Sequence, residues 1–110
     1  MEQLSVRDIV FVRFPFSDLR NSKLRPAIII SNAQNQDWIL CQITSKSYAD
    51  LISIEINDSD FDEGTLKLVS YIRPGKIFTA HESIIIKRVA RLSVGPHKKL
   101  IDKIIGLIRI

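Results

Sequence analysis

Apolar residues in this chain arrive in short bursts. Residues 9–16 read Ile-Val-Phe-Val-Arg-Phe-Pro-Phe, residues 25–31 Arg-Pro-Ala-Ile-Ile-Ile-Ser and residues 38–44 Trp-Ile-Leu-Cys-Gln-Ile-Thr, and each burst gives way to polar, turn-forming residues. β-Branched and aromatic side chains suit a pleated, half-buried surface, so these runs read as strands. Pro15 marks the end or the edge of the first, because proline donates no ladder hydrogen bond. The second is almost continuously apolar, as in a strand covered on both faces. In the third, a period of two sets Ile39, Cys41 and Ile43 against Trp38, Leu40, Gln42 and Thr44, and the more uniformly apolar set is expected inward. Residues 51–56 alternate, with Ile52, Ile54 and Ile56 in and Ser53 and Glu55 out. An acidic turn is expected over 57–64, then strands over 65–72, 76–79 and 84–92. Only at Gly95-Pro96 does the period change: Pro96 suits a first helical turn, and Leu100, Ile101, Ile104, Ile105, Leu107 and Ile108 recur at helical spacing over 97–110. Many short strands and one terminal helix predict a mainly β fold, a compact curled antiparallel sheet or small barrel.

A length of 110 residues suits one domain spanning 1–110. With 45% hydrophobic residues there is enough for a single core, although a domain this small buries a modest share of its surface and dimerisation would relieve that limit. The net charge of +4 favours a polyanionic partner. Cys41 is the one cysteine, which excludes an intrachain disulfide and a cysteine-based zinc site. The charged N-terminus does not read as a signal peptide, and no apolar run approaches the roughly 20 residues of a membrane span, so a cytoplasmic location is expected. Residues 58–64 (Asp-Ser-Asp-Phe-Asp-Glu-Gly) imitate the start of a calcium loop, but Glu63 and Val69 stand where that loop needs Gly and Glu. Neither a metal nor a cofactor is expected.

Three segments resemble the MazF/PemK-like toxin family of type II toxin–antitoxin systems: Arg7-Asp8-Ile9-Val10-Phe11-Val12-Arg13-Phe14-Pro15-Phe16-Ser17-Asp18, Lys23-Leu24-Arg25-Pro26-Ala27-Ile28-Ile29-Ile30-Ser31, and Gln42-Ile43-Thr44-Ser45. Weaker echoes are Tyr71-Ile72-Arg73-Pro74-Gly75-Lys76 and Val89-Ala90-Arg91-Leu92-Ser93. The order and spacing hold over nearly the whole chain. The resemblance implies an SH3-like, CcdB/MazF-type curled barrel with a C-terminal helix, usually a homodimer. It implies a metal-independent, sequence-selective endoribonuclease of single-stranded RNA, a growth inhibitor neutralised by a cognate antitoxin. By motif match Arg25 takes the catalytic arginine's place, Thr44 that of the catalytic hydroxyl, and residues 17–23 that of a mobile loop over the groove. RNA contacts are expected from Lys23, Lys46 and Arg73 on phosphates, from Phe16 or Tyr48 on bases, and from Ser17, Arg20 and Ser45 nearby. The sequence departs from the family at Arg7, where Gly is usual, in a shorter loop holding Arg20 and Lys23 where some members carry Glu, and at Ser70, where some carry an acid.

These residue types suit RNA cleavage. RNA supplies its own nucleophile, the 2′-hydroxyl, so an enzyme needs to align it, stabilise the phosphorane and move two protons. The products would be a 2′,3′-cyclic phosphate and a 5′-hydroxyl. A guanidinium fork holds two phosphate oxygens, and a threonine hydroxyl adds a further hydrogen bond. Arginine is a poor base, and His81 and His97 lie outside the motif segments, with surface or capping roles expected; the base is left to water or the substrate. Other readings remain: a CcdB-type toxin that binds and inhibits DNA gyrase without catalysis, or a degenerate member that retains only antitoxin or RNA binding.

Overall fold

The computed structural model describes residues 3–14, 23–47 and 51–109. Seven antiparallel strands form one sheet: β1 (Asp8–Phe14), β2 (Lys23–Asn32), β3 (Asp37–Thr44), β4 (Ile54–Ile56), β5 (Phe61–Gly64), β6 (Ser70–His81) and β7 (Ile85–Leu92), followed by helix α1 (Val94–Ile108). The order across the sheet is β4-β6-β3-β2-β1-β7-β5, which leaves β4 and β5 at the edges. Register shifts interrupt the β1–β7, β2–β3, β3–β6 and β5–β7 ladders. Each such bulge bends its strand and increases the local twist, so the sheet curls into a half-barrel. The expected mainly β, curled architecture with a C-terminal helix is the observed one.

The curl wraps one core and backs a second. Ile9, Ile28, Cys41, Ile43 and Ile72 gather with Ile54 and Ile56 of β4, Leu92 of β7, and Leu100 and Ile104 of α1, so both ends of the sheet contribute to one cluster. On the opposite face Val10, Val12, Ala27, Ile29, Trp38, Leu40, Ala80 and Ile85 pack with Leu4. This second cluster corrects the expectation for β3. Cys41 and Ile43 point into the first core as expected, but Trp38 and Leu40 are also buried while Ile39 is only half-buried. Periodicity separates the faces of a strand; it does not tell which face is wet when both are covered.

Other boundaries moved for local reasons. Of the expected strand over 51–56 only Ile54–Ile56 pairs, with Ile54 and Ile56 buried and Glu55 exposed. The acidic turn is a capped 3-10 turn, Asp58–Asp60, that runs into β5: Asn57 Oδ1 accepts the Ser59 N–H at 3.3 Å, and Asp60 Oδ2 accepts the Asn57 N–H at 2.9 Å. The two strands expected over 65–72 and 76–79 are one 12-residue strand, β6. β3 advances from Cys41 to Ile43 while β6 runs from Ile77 back to Ile72, so residues 73–76, with Pro74 and Gly75, bulge from the ladder. Helix α1 begins at Val94, before the proline.

A charged network fastens the N-terminus. Asp8 is fully buried; its carboxylate accepts from Arg88 Nε at 3.0 Å, Arg91 Nε at 3.1 Å and the Ser5 N–H at 2.8 Å. Arg88 also pairs with Glu63 of β5. Arg7 has φ +80°, the left-handed region where a glycine is at ease. The arginine is held there by Nη1 bonds to Asp62 and to the Leu92 carbonyl, both at 2.9 Å, and by a backbone bond to the Ile29 carbonyl at 3.0 Å.

Candidate active site

β2 and β3 pair through Ala27↔Gln42, Ile28↔Cys41 and Ile29↔Leu40. Extended by two residues, the same register sets Arg25 across from Thr44, with both side chains on one face of the sheet. The ladder stops before that point. The residue preceding Ala27 is Pro26, which has no N–H to donate, and from there β2 keeps only β1 as partner, with Phe11↔Pro26 and Val12↔Arg25. Thr44, the last residue of β3, pairs instead with Tyr71 on β6. The two strands therefore part between Arg25 and Thr44.

A cavity of about 490 Å³ opens in this parting. Lys23, Arg25, Thr44, Ser45, Lys46 and Ser70 line it together with Phe11, Leu24, Pro26, Ile43, Leu66 and Leu68. Arg25 and Thr44 are half-buried, and Lys23, Ser45 and Lys46 are exposed, so the site is open to a ligand. The Thr44 Oγ1 accepts the Lys46 N–H at 3.2 Å. That bond fixes the hydroxyl oxygen and leaves its proton to be donated into the cavity. Among the described residues, three cations and no carboxylate or imidazole line the space, a field that attracts an anion. Ser70, 5% exposed, donates to the Leu68 carbonyl at 3.0 Å and holds the chain between β5 and β6 against the cavity. A second cavity, along α1, is a shallow run of Lys98, Lys99, Asp102 and Lys103 in which Lys98 and Asp102 pair at 3.0 Å.

Of the residues expected at the site, Arg25, Thr44, Lys23, Ser45 and Lys46 meet at this one cavity. Arg73 does not line it and stands on the β6 bulge. Phe16, Ser17, Arg20 and Tyr48 lie outside the described residues. The apolar wall of Phe11, Leu66 and Leu68 was not anticipated; exposed leucines after an acidic turn were the only signal for it. His81 caps the 3-10 turn after β6, its Nδ1 accepting the Ser83 N–H at 3.1 Å. His97, on α1, is half-buried, and its Nε2 is enclosed with no hydrogen-bond partner among the described residues. Burial, and then the charge of Arg7, hold its pKa below the ordinary value. Burial pushes the Cys41 thiol up to about 12, so it packs as an inert hydrophobe. Among the described residues no three His, Cys, Asp or Glu side chains gather as a metal site requires, and no helix is long and apolar enough to cross a membrane.

No curated protein matches the chain. Among solved structures it resembles MazF from Deinococcus radiodurans (14% identity, 100% of each chain covered, TM-score 0.78) and the MazE–MazF complex from the same organism (13%, 97% of this chain and 96% of that one, TM-score 0.80). It also resembles an endoribonuclease in complex with its cognate antitoxin from a Mycobacterial species (13%, 96% and 94%, TM-score 0.72). At such identities the likeness establishes the fold. Residues 5–106 match the family described as PemK-like, MazF-like toxin of type II toxin–antitoxin systems, which spans nearly all of the sequence, and the chain belongs to that family.

Proposed function

We propose that this protein is a metal-independent endoribonuclease that cuts single-stranded RNA at selected sequences. It acts as a single toxin domain in a cytoplasmic homodimer and is neutralised by a cognate antitoxin. The observation that supports the reading is the one cationic cavity that Arg25 and Thr44 both line, beside the end of the β2–β3 ladder.

In this reading the scissile phosphate sits between the two side chains. The Arg25 guanidinium holds two non-bridging oxygens and stabilises the charge that grows on them as the 2′-oxygen attacks; a fixed donor in such a place contributes about 3–4 kcal/mol. The Thr44 hydroxyl donates a further hydrogen bond, and Lys23 and Lys46 hold the flanking phosphates. The P–O5′ bond breaks, giving a 2′,3′-cyclic phosphate and a 5′-hydroxyl. The described lining holds no carboxylate or imidazole, and in this reading the 2′-hydroxyl proton passes to water or to a substrate group.

The test is incubation of the purified protein with varied RNAs in excess EDTA. Fragments should appear with the wild type and vanish, or slow by about 10²–10³-fold, with Arg25→Ala. Intact RNA, or cleavage that needs added metal, counts against the proposal. Inhibition of gyrase supercoiling that survives Arg25→Ala would favour a binding toxin instead.

A further inference from the structure

The face that carries Arg25 and Thr44 holds a second, smaller cleft. Gln42 precedes Thr44 by two residues, so the two side chains leave β3 on the same side, about 6.6 Å apart along the strand. Phe14 follows Val12 by two residues on β1, and Val12 is the register partner of Arg25, which brings Phe14 to that same face. Phe14 meets Phe78 of β6 with ring centroids 4.7 Å apart and planes inclined at 57°. The bulge over residues 73–76 lifts Lys76 beside them. Phe14, Gln42, Lys76, Ile77 and Phe78 together line a cleft of about 210 Å³, room for one planar ring system.

We propose that this cleft is a base-recognition subsite: it takes one unstacked nucleobase of the strand whose phosphate lies at Arg25 and Thr44, and the Gln42 carboxamide reads that base. The chemistry of the lining is selective for such a guest. A tilted pair of phenylalanine rings offers an aromatic wall for a base to stack on, and stacking tolerates any base. The carboxamide offers a carbonyl acceptor beside an amide donor, the complement of the paired donor and acceptor on a base edge. Lys76, exposed at the lip, is placed for the next phosphate. A strand step from Thr44 to Gln42 is comparable to the reach from a phosphate to its own base, so one nucleotide spans both sites. Of these groups the amide alone distinguishes one base from another, which makes Gln42 the specificity-determining residue. None of the cleft residues lines the Arg25–Thr44 cavity, so selection and bond breaking are separable.

This inference rests on the nuclease reading for its substrate, and the experiment separates the two. Cleavage of a mixed-sequence RNA pool is profiled for the wild type, Gln42→Leu and Gln42→Glu, and in parallel the binding of uncleavable 2′-deoxy single strands differing at one base is measured. Gln42→Leu is expected to lose roughly tenfold or more of the preference at one position beside the cut, read from the relative yields of the cuts it still makes. Gln42→Glu, of nearly the same shape but able only to accept, is expected to move that preference towards bases presenting an amino group. Wild-type and Gln42→Leu profiles that coincide would overturn the subsite and leave the nuclease standing. No cleavage by any form, with a base preference in binding that Gln42→Leu abolishes, would uphold the subsite and remove the nuclease. Absence of both cleavage and base-dependent binding removes both.

Discussion

Arg25 offers what a lysine does not: a planar guanidinium fork that can hold two phosphate oxygens at once. Arg25→Lys should therefore retain folding and RNA binding while losing most of the rate, a drop read in single-turnover cleavage and nearer to that of Arg25→Ala than to the wild type. Gly64 shows how narrowly the backbone is fitted at the β5 edge. It has φ +66°, and an added Cβ would stand 2.3 Å from the Val89 carbonyl oxygen. Gly64→Ala should cost about 2 kcal/mol or more, seen as a lower urea midpoint. His97 sets a pH dependence. Its pKa is depressed by burial and by Arg7, so the unfolded chain takes up the proton first as pH falls. The stability it contributes is whole above the ordinary histidine value of 6.5 and is lost as pH drops from there towards the depressed folded pKa. Thermal midpoints should fall between pH 7 and pH 5, and His97→Gln should flatten that slope; an unchanged slope would assign the acid sensitivity elsewhere.

Pro26 is the residue whose effect is felt by whole elements. It stands one residue before the β2–β3 ladder begins, and the site opens beside it. Pro26→Val would restore an N–H and a strong strand former, so β3 should zip further along β2 and narrow the cavity; activity should fall while the urea midpoint holds or rises. Helix α1 closes the first core through Leu100 and Ile104, and Leu100→Ala should cost about 2–5 kcal/mol by the cavity it leaves. The strands and the helix were legible because their periods are strong: Ile54 and Ile56 of β4, and Leu100 and Ile104 of α1, are buried as their spacing requires. What was hidden arises from contacts distant in sequence. Nothing near Trp38 and Leu40 announces the second core, which Leu4, Val10 and Ile85 complete. Nothing near Phe61 shows that a turn's exit will find β7 as a partner. Arg25 and Thr44 could be picked out from their motif settings, but their common face depends on a register that no single segment carries. Gln42 stood in the sequence as the start of the segment that carries Thr44, with no role of its own.

At the scale of the molecule, the sheet holds its ends together with charge as well as apolar contact. Asp8 lies at the centre, bonded to two arginines of β7, both of which reach Glu63 on β5. Asp8→Ala should leave those arginines without their carboxylate and cost about 3–5 kcal/mol, with β5 and the N-terminal segment the first to exchange their amide protons. The proposed homodimer predicts a sedimenting species of twice the 12.6 kDa chain mass at micromolar concentration; a monomer there would require that one chain alone builds the groove. The proposed cut depends on the RNA's own hydroxyl between Arg25 and Thr44, and one substrate pair addresses it. A cleavable RNA oligonucleotide and its twin carrying a single 2′-deoxy sugar at the cut are incubated with the protein in EDTA, and the ends of the products are identified. The all-ribose strand should yield a 2′,3′-cyclic phosphate and a 5′-hydroxyl, and the twin should survive intact; cleavage of the twin, or a 5′-phosphate on the products, would contradict the mechanism.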